Sequence, residues 1–441
     1  MIGLIGLPFA LIAISYPKIT LTSVLILNAS GIPVPQVPGA TIGIFAQLIF
    51  AVTFLLGILI GQRQWKPLPA KERKYITMFM WLVILLIFVR GAGLRILGSV
   101  TWGGTVYIAL LLSGLMYYMT SGFILSQKFI RWIIWGGFVA TIIGTVVGYN
   151  SGWAFSENTH NVIDQGRLSF LTPLFTGLFP IALIANIKNV KIWNVILLVI
   201  SFGIIALTGF RSYTIAGLGV LLLYGFFKMP SKGLFLSSVL GSGFIVWALL
   251  YIVSPHLPIG IQRSISFLPA MRVPDDVLMN GATSVAWRVE IWNYCWDYAK
   301  EFLLIGRGVT YNVADIIANT TSRDIYGGTT WFRWHTHAYH SGPLTLLVDF
   351  GIPGLVIHLL FAYHTIKRFW NYSKKLALIK TIEARFALFF CVSFIWDIFH
   401  FYFIFGSVMR ISYYIFDFAV ASVFANSAFK IHSETLKRKI S

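Results

Sequence analysis

A histidine at the start of an apolar segment, His340, is the residue of this sequence best suited to chemistry. It is followed by Ser341, by a mostly apolar run that contains Asp349, and by Gly351-Ile352-Pro353-Gly354. An imidazole titrates near neutral pH, so it can accept or release a proton under physiological conditions. Ionisable groups are costly to place at the mouth of a membrane helix and usually have a function there. We therefore expect proton-transfer chemistry at one face of a membrane.

The composition indicates an integral membrane protein. Of the 441 residues, 57% are hydrophobic and 11% are charged, and the mean hydropathy is +0.78, whereas soluble domains carry roughly 25% charged residues. A helix needs about 20 apolar residues to cross a bilayer, so the apolar runs predict an all-α, polytopic fold with about twelve spans. The predicted spans are 1–28 (interrupted near Pro17), 40–61, 75–97, 102–120, 129–148, 167–187, 191–209, 212–227, 233–254, 341–366, 384–405 and 410–428.

Basic loop residues set the predicted orientation, because Lys and Arg concentrate in cytoplasmic loops. The loop 62–74 is rich in both, and the other lysine-rich connections fall on the same side when the spans are counted. The net charge of +19 has the same origin, since no basic soluble domain is evident that would hold a nucleic acid. Both termini are then cytoplasmic. The predicted organisation is nine spans in 1–254, one large outer loop in 255–340, three spans in 341–428 and a cytoplasmic tail in 429–441.

Arginine, rather than lysine, is characteristic of the predicted outer side, where Lys300 is the clear exception. A guanidinium binds phosphate oxygens in a bidentate manner and stays charged when partly buried, so a phosphate-bearing ligand is expected there. Ion pairs with loop acids are the alternative for most of these arginines, but Arg90 and Arg211 end apolar spans with no acid nearby in sequence. The outer arginines are Arg90, Arg95, Arg167, Arg211, Arg263, Arg272, Arg288, Arg307, Arg323, Arg333 and Arg410.

The outer loop is predicted to contain helices. Ser284–Phe302 is amphipathic and rich in aromatic residues, a pattern that favours the headgroup region of a membrane. Gly306-Arg307-Gly308 ends this helix. A second short helix is predicted over Tyr311–Ala318, and Gly327-Gly328 is predicted to form a turn.

Three motifs occur in order along the chain. Gly209-Phe210-Arg211-Ser212 is a tight hairpin at the predicted outer face, Arg288 precedes Trp292 and then the Gly-Arg-Gly turn, and His340 opens the third motif. Together they resemble the O-antigen ligase family and its relatives, the bacterial polysaccharide polymerases, whose signature is His-Asn/Ser/Gln, nine residues, then Gly-x-x-Gly. Ser341 is the minority choice at the second position. The resemblance covers roughly residues 190–365 in motif and the whole chain in topology.

The resemblance implies a membrane-embedded, GT-C-like glycosyltransferase that uses a lipid-linked donor. The donor would be a polysaccharide on undecaprenyl pyrophosphate, and the acceptor would be a sugar hydroxyl of lipid A–core. The reaction would take place at the periplasmic face of the bacterial inner membrane and would need neither a cofactor nor a metal.

The implied reaction makes a separate demand on each motif. A hydroxyl attacks the anomeric carbon and displaces a pyrophosphate, a leaving group that needs cations rather than a proton. Arg211 and Arg288 would supply the cations, and neutral His340 would act as general base, with inversion of the anomeric centre. Taken without the family, each residue has a structural alternative: a helix cap for His340, a headgroup anchor for Arg211 and an ion pair for Arg288.

An acid inside a predicted span, Asp397, is a further candidate, because intramembrane acids usually have a function. It is three residues from His400 and therefore on the same helix face. We expect Asp397 to position an arginine, either Arg410 or Arg211, or to bind the acceptor.

The residues around His340 are expected to assist it. Ser341, with Gly342-Pro343 behind it, is a plausible helix start. His335 and His337 are expected to be solvated or to support the site indirectly, and a metal bound by this pair is disfavoured because no third ligand is evident. Substrate contacts are predicted for Arg90, Arg95, His337, Ser341, Asp397 and Arg410.

Three alternative functions stay open on sequence alone. A repeat-unit polymerase of the same superfamily would extend a glycan that stays lipid-linked, but polymerases often have two sizeable outer loops and this chain has one. A protein-targeting oligosaccharyltransferase is disfavoured, since no extra domain is expected after Phe429. A lipid-linked oligosaccharide flippase or other transporter would also use a basic cavity, but transporters usually contain related halves, and none is visible.

Overall fold

The computed structural model describes residues 15–32, 41–61, 70–93, 101–150, 168–184, 192–312, 334, 337 and 339–440. Within these ranges the chain is almost entirely helical. The helices are α1 (Pro17–Ser30), α2 (Ile42–Leu59), α3 (Ala70–Arg90), α4 (Gly104–Thr120), α5 (Gln127–Asn150), α6 (Thr172–Ile184), α7 (Ile192–Leu207), α8 (Arg211–Lys228), α9 (Lys232–Val253), α10 (Ile259–Ile265), α11 (Asp275–Ala299), α12 (Gly342–Leu378), α13 (Ile382–Phe403) and α14 (Val408–Ile440).

Each predicted span overlaps one of these helices. By length and composition, α2, α5, α9, α12, α13 and α14 can cross a membrane, and α4, α6 and α7 are shorter apolar helices. The remaining predicted spans coincide with α1, α3 and α8. The polytopic, all-α class is therefore confirmed in outline, and the count of twelve stays a prediction.

The core of the described bundle lies where α12, α13 and α14 meet. Phe369, Phe394 and Phe418 are almost completely buried there, with ring centroids 5.1, 5.4 and 5.9 Å apart. Tyr117 of α4 stacks on Phe418 from the other side. Lipid tails are as apolar as these side chains, so close packing rather than exclusion of water holds such a bundle together.

Helix α9 contrasts with this core. It is apolar, and none of its residues is buried. A helix that exposes apolar side chains such as Leu240 and Phe244 is suited to contact with lipid. It runs from the predicted cytoplasmic side to the start of the outer loop.

Charged pairs lie at the predicted cytoplasmic end of the bundle. Arg368 donates to Glu72 at 2.7 Å, and Arg131 donates to Glu383 at 3.1 Å. Both carboxylates are buried, and a buried carboxylate requires such a partner. Helix α14 continues to Ile440, so the predicted tail is a helical extension rather than an irregular segment. Its exposed end contains the i,i+4 pair Lys430–Glu434, which favours a helix.

The outer loop differs from its predicted form in two places. Helix α11 begins at Asp275, earlier than predicted, because Asp275 and Asp276 in its first turn stabilise a helix N-terminus. Tyr311–Asn312, predicted as the start of a short helix, is instead strand β2, which pairs antiparallel with β1 (Thr101–Trp102). The rest of that predicted helix and the turn at 327–328 lie outside the described residues.

The aromatic face of α11 packs inward. Tyr294, Tyr298 and Phe302 surround Trp334 at ring-centroid distances of 5.9, 5.7 and 6.4 Å. Trp296, on the other side of the helix, is 56% exposed. One face of this helix thus holds the segment that leads to His340, and the expected location of the other face at the membrane surface stays a prediction.

Candidate active site

The signature glycines interrupt α12 close to its start. Gly351 has φ 70° and ψ −175°, a conformation confined almost entirely to glycine. A Cβ atom at this position would lie 2.9 Å from both Gly306 N and Leu303 O. Ile352 N donates to Leu303 O at 2.7 Å, outside the helix. The Gly-x-x-Gly motif thus creates a break into which the turn after α11 fits.

The break also releases two carbonyl groups of α12 to that turn. Arg307 N donates to Val348 O at 2.7 Å, and Gly308 N donates to Asp349 O at 2.9 Å. In an uninterrupted helix the Val348 carbonyl would accept from the amide of Ile352, whereas Pro353 has no N–H to donate to the Asp349 carbonyl. The Gly-x-Gly turn and the Gly-x-x-Gly signature are therefore the two sides of one contact.

His340 lies directly before α12, in the left-handed region of backbone conformation (φ 56°). Its ring contacts Trp287 of α11 at 5.0 Å and Phe405, between α13 and α14, at 4.7 Å. A non-glycine residue adopts this backbone conformation only where its surroundings hold it. The ring contacts from α11 and from the α13–α14 connection, together with the backbone at His340 itself, thus fix the position of this imidazole.

The tryptophan of the second motif binds the residue that precedes the histidine. Trp292 Nε1 donates to Tyr339 O at 3.0 Å. Because Trp292 lies about one helical turn after Arg288, the same helix presents an arginine and fixes the backbone beside His340. This contact gives a physical reason for the Arg-x-x-x-Trp spacing.

A buried polar network lies behind this segment. His337 Nδ1 is 2.7 Å from Asp349 Oδ1, and the Tyr339 hydroxyl donates to the same oxygen at 2.9 Å. The side chains of His337 and Asp349 are 3% and 0% exposed. Burial, with Asp349 nearby, raises the pKa of Tyr339 well above its usual range, so the hydroxyl stays protonated and donates.

The guanidinium of Arg307 completes the support from the side of the loop. It donates to Trp334 O at 2.6 Å and stacks over the Trp334 ring at 4.5 Å. The same group lies 3.5 Å from the Tyr339 hydroxyl. Arg307 therefore ties the loop to the His340 segment.

Arg211 begins α8 after the turn at Gly209, as the hairpin motif predicts. Its Nε donates to Arg263 O at 3.0 Å, and the positive charges of Arg263 and Arg288 both act on it. Arg263 is 5% exposed; burial lowers its pKa, and Asp276 opposes that shift. A concentration of like charge favours a bound anion.

The arginines and the histidine lie in neighbouring parts of the structure. Arg288 is adjacent in sequence to Trp287, whose ring contacts His340, and its guanidinium lies 5.7 Å from the same ring. Arg288 therefore lies close to both other motif residues, His340 through the Trp287 ring and Arg211 through the charge that acts on it; a shared catalytic site stays a prediction.

Asp397 and Arg410 flank this site. Their charged atoms are 4.0 Å apart, which agrees with the expectation that Asp397 positions Arg410. The Arg410 guanidinium lies 6.0 Å from the Phe405 ring, which contacts His340. His400 is completely buried, and its backbone carbonyl accepts from Phe405 N at 2.8 Å. Asp397 and Arg410 therefore border the site through Phe405.

The other predicted contacts have different surroundings. Arg90 donates from Nε to Gly306 O at 3.0 Å and lies 5.4 Å from the Phe302 ring, so one of its donors is used to hold the turn. Ser341 occupies the N-cap position of α12, but its side chain makes no capping bond; the predicted helix start is correct and hydroxyl capping is not. Arg95 and His335 lie outside the described residues.

His337 requires a correction. Of its two expected roles, the solvated one is wrong, because the side chain is almost fully buried against Asp349. Direct substrate contact, also predicted, conflicts with the same burial. The role in support of the site fits.

Sequence patterns did not single out three of the residues around the site. Arg263 belongs to no motif and was one of many outer arginines. Asp349 was noticed only as the polar residue of an apolar run, and Phe405 is one aromatic residue among many. An acid within an apolar run was the available signal for Asp349.

The comparison with protein families agrees with this geometry. The model of the family described as O-antigen ligase matches residues 196–359, a range that contains the hairpin arginine, the Arg-x-x-x-Trp helix and the His340 signature. A search of curated proteins found no match. A membrane-embedded transferase of the ligase and polymerase type is consistent with both the helices and the family. Residues 196–359 of this chain are therefore similar to the O-antigen ligase family.

Proposed function

We propose that this protein is an O-antigen ligase. It transfers a polysaccharide from undecaprenyl pyrophosphate to a sugar hydroxyl of lipid A–core, at the periplasmic face of the bacterial inner membrane. The observation that carries the proposal is the adjacency of an arginine group, which favours an anion, to a histidine able to accept a proton.

The arginines act on the leaving group. Arg211 and Arg288 bind the pyrophosphate, with Arg263 next to Arg211, and stabilise the charge that develops as the bond from the anomeric carbon to the pyrophosphate oxygen breaks. The lipid pyrophosphate departs with the bonding electron pair. A pyrophosphate leaving group needs no proton, so an acid beside it is unnecessary.

His340 acts on the acceptor. The neutral imidazole accepts the proton of the attacking hydroxyl while the new glycosidic bond forms at the anomeric carbon. Attack from the side opposite the pyrophosphate inverts that carbon. The Trp287 and Phe405 rings that contact His340 limit how far the imidazole can turn from the acceptor.

The test is transfer in a purified system, with lipid-linked donor, lipid A–core acceptor and the protein in nanodiscs. His340→Ala should reduce transfer by roughly 10²- to 10⁴-fold, the usual contribution of a general base, and still bind donor. His256→Ala, at an exposed histidine of the outer loop, is the matched control and should transfer normally. Undiminished transfer by His340→Ala would refute the base assignment.

The arginines and the product complete the test. Arg288→Lys keeps one charge but loses the planar fork, so donor binding should weaken more than in an Arg272→Lys control at the exposed surface. Glycan attached to lipid A–core identifies a ligase. A longer glycan that is still attached to undecaprenyl pyrophosphate would replace the proposal with a polymerase.

A further inference from the structure

A carboxylate with no solvent contact, Asp349, lies directly behind the His340 segment. Oδ1 is 2.7 Å from His337 Nδ1 and accepts from the Tyr339 hydroxyl at 2.9 Å. Oδ2 has no hydrogen-bond partner within the part of the chain that the structure describes. A buried carboxylate is costly even with partners, so this position is not explained by stability alone.

The segment that Asp349 binds is strained. His337 and His340 both have positive φ, 57° and 56°, a conformation that side chains other than glycine disfavour and that tertiary contacts must maintain. Asp349 contacts the imidazole ring of His337 directly. It also accepts from Tyr339, which is adjacent in sequence to His340.

Two further contacts limit what the segment can do. Trp292 donates to the Tyr339 carbonyl at 3.0 Å, so Tyr339 is held at both its backbone and its hydroxyl. Asp349 itself is fixed because its carbonyl accepts from Gly308 N. A chain of contacts therefore leads from the turn at Gly308, through Asp349, to Tyr339 beside His340.

We propose that Asp349 is a positioning residue: it holds His337 and Tyr339, and through Tyr339 the adjacent His340, so that the His340 imidazole stays in contact with Trp287 and Phe405. Asp349 touches no substrate. The catalytic consequence rests on the proposed function, whereas the structural part does not depend on any substrate.

The structural part can be tested with 5-fluorotryptophan-labelled protein and ¹⁹F NMR. The Trp287 resonance is assigned by its loss in Trp287→Phe, and its shift is sensitive to the His340 ring 5.0 Å away; His340→Ala defines the shift without that ring. In Asp349→Asn, which keeps the shape but removes the charge that strengthens both bonds, the resonance should move at least half of the way towards the His340→Ala position. A resonance at the wild-type position would overturn the proposal.

Glu72→Gln is the matched control, because it removes a different buried carboxylate, which accepts from Arg368 at the predicted cytoplasmic end of the bundle. It should lower thermal stability without moving the Trp287 resonance. If Asp349→Asn does not fold, Tyr339→Phe carries the test, since it removes one bond to Asp349. A displacement in the same direction supports the proposal, and a wild-type resonance overturns it.

The kinetic part separates positioning from loss of fold. Asp349→Asn should lower kcat by about 10- to 100-fold, the range seen when a partner that orients a metal-binding histidine is removed. The donor KM should change by less than about twofold, because the arginines are untouched. Tyr339→Phe should cost about two- to tenfold, as expected for one hydrogen bond. A fall in kcat that only follows the fraction of unfolded protein would contradict the role. If the wild-type protein transfers no glycan, the proposed function fails, and the NMR result still decides the positioning.

Discussion

The contact between the two glycine motifs makes Gly351→Ala the most informative single substitution. The new methyl group would lie 2.9 Å from Gly306 N and Leu303 O, and 3.1 Å from Ile305 C. All three are backbone atoms, so no side chain can move aside. The substituted residue must also leave the conformation at φ 70°, ψ −175° or bear its strain.

The expected loss of stability in Gly351→Ala follows from the strain at this position and from the weakened hydrogen bonds. Holding alanine in this region costs on the order of 1–3 kcal/mol. Moving the turn away weakens the bonds Ile352 N–Leu303 O, Arg307 N–Val348 O and Gly308 N–Asp349 O, each worth about 0.5–1.5 kcal/mol. We expect a destabilisation of about 3–5 kcal/mol, concentrated at this contact.

Thermal unfolding and hydrogen exchange of the purified protein measure this effect. Tm should fall by about 3–5 °C, and the amides of Arg307 and Gly308 should exchange roughly 10²- to 10³-fold faster, since each 1.4 kcal/mol is a factor of ten. Gly203→Ala is the control, because a Cβ there meets nothing within 4 Å and alanine is the better helix former. Equal protection of Arg307 and Gly308 in Gly351→Ala and wild type would refute the docking argument.

Two further predictions concern α11. Trp292→Phe keeps an aromatic ring but removes the donor to Tyr339 O, so kcat should fall about two- to tenfold. Trp296→Phe, one turn further along the same helix and more exposed, should be neutral. Equal rates for the two variants would show that the indole bond has no role. Burial first, and then Asp349, raises the pKa of Cys295 to about 12, so the reactive thiolate is a negligible fraction at pH 9 and below. Maleimide should therefore fail to label Cys295 in the native protein between pH 6 and 9 and should label it after unfolding in detergent, and stoichiometric native labelling would contradict the buried position.

The parts of the fold that hydropathy governs could be predicted from the sequence. An apolar run of sufficient length needs no partner to be identified, so the helices coincide with the predicted spans. The β1–β2 pair could not be predicted, because Thr101 and Asn312 are far apart in sequence and each strand has two residues. The true start of α11 was missed because the aromatic pattern begins later than the acids that cap it.

The sequence identifies most residues of the candidate site, but it does not reveal how they contact one another. The His340 signature identified a histidine and two glycines, but spacing alone does not reveal that Gly351 breaks the helix to receive the turn at Gly306. The burial of His337 depends on its contact with Asp349, and that contact requires the break in α12 at Gly351. Arg263 could not be separated from the other outer arginines, since its position beside Arg211 is set by the packing of α10 on α7, where Ser264 donates to Ala206 O.

The contact between the turn at Gly306-Arg307-Gly308 and α12 also determines where a chimera between this protein and a relative can be joined. A chimera that exchanges only the outer loop, 255–340, would pair a foreign Gly-x-Gly turn with a native α12 and would place the exchange boundary inside the 337–349 network. An exchange that ends after Gly354 would transfer both halves of the contact together. Acceptor preference should therefore be transplantable between relatives as one cassette of the loop with the first turns of α12, and not as the loop alone.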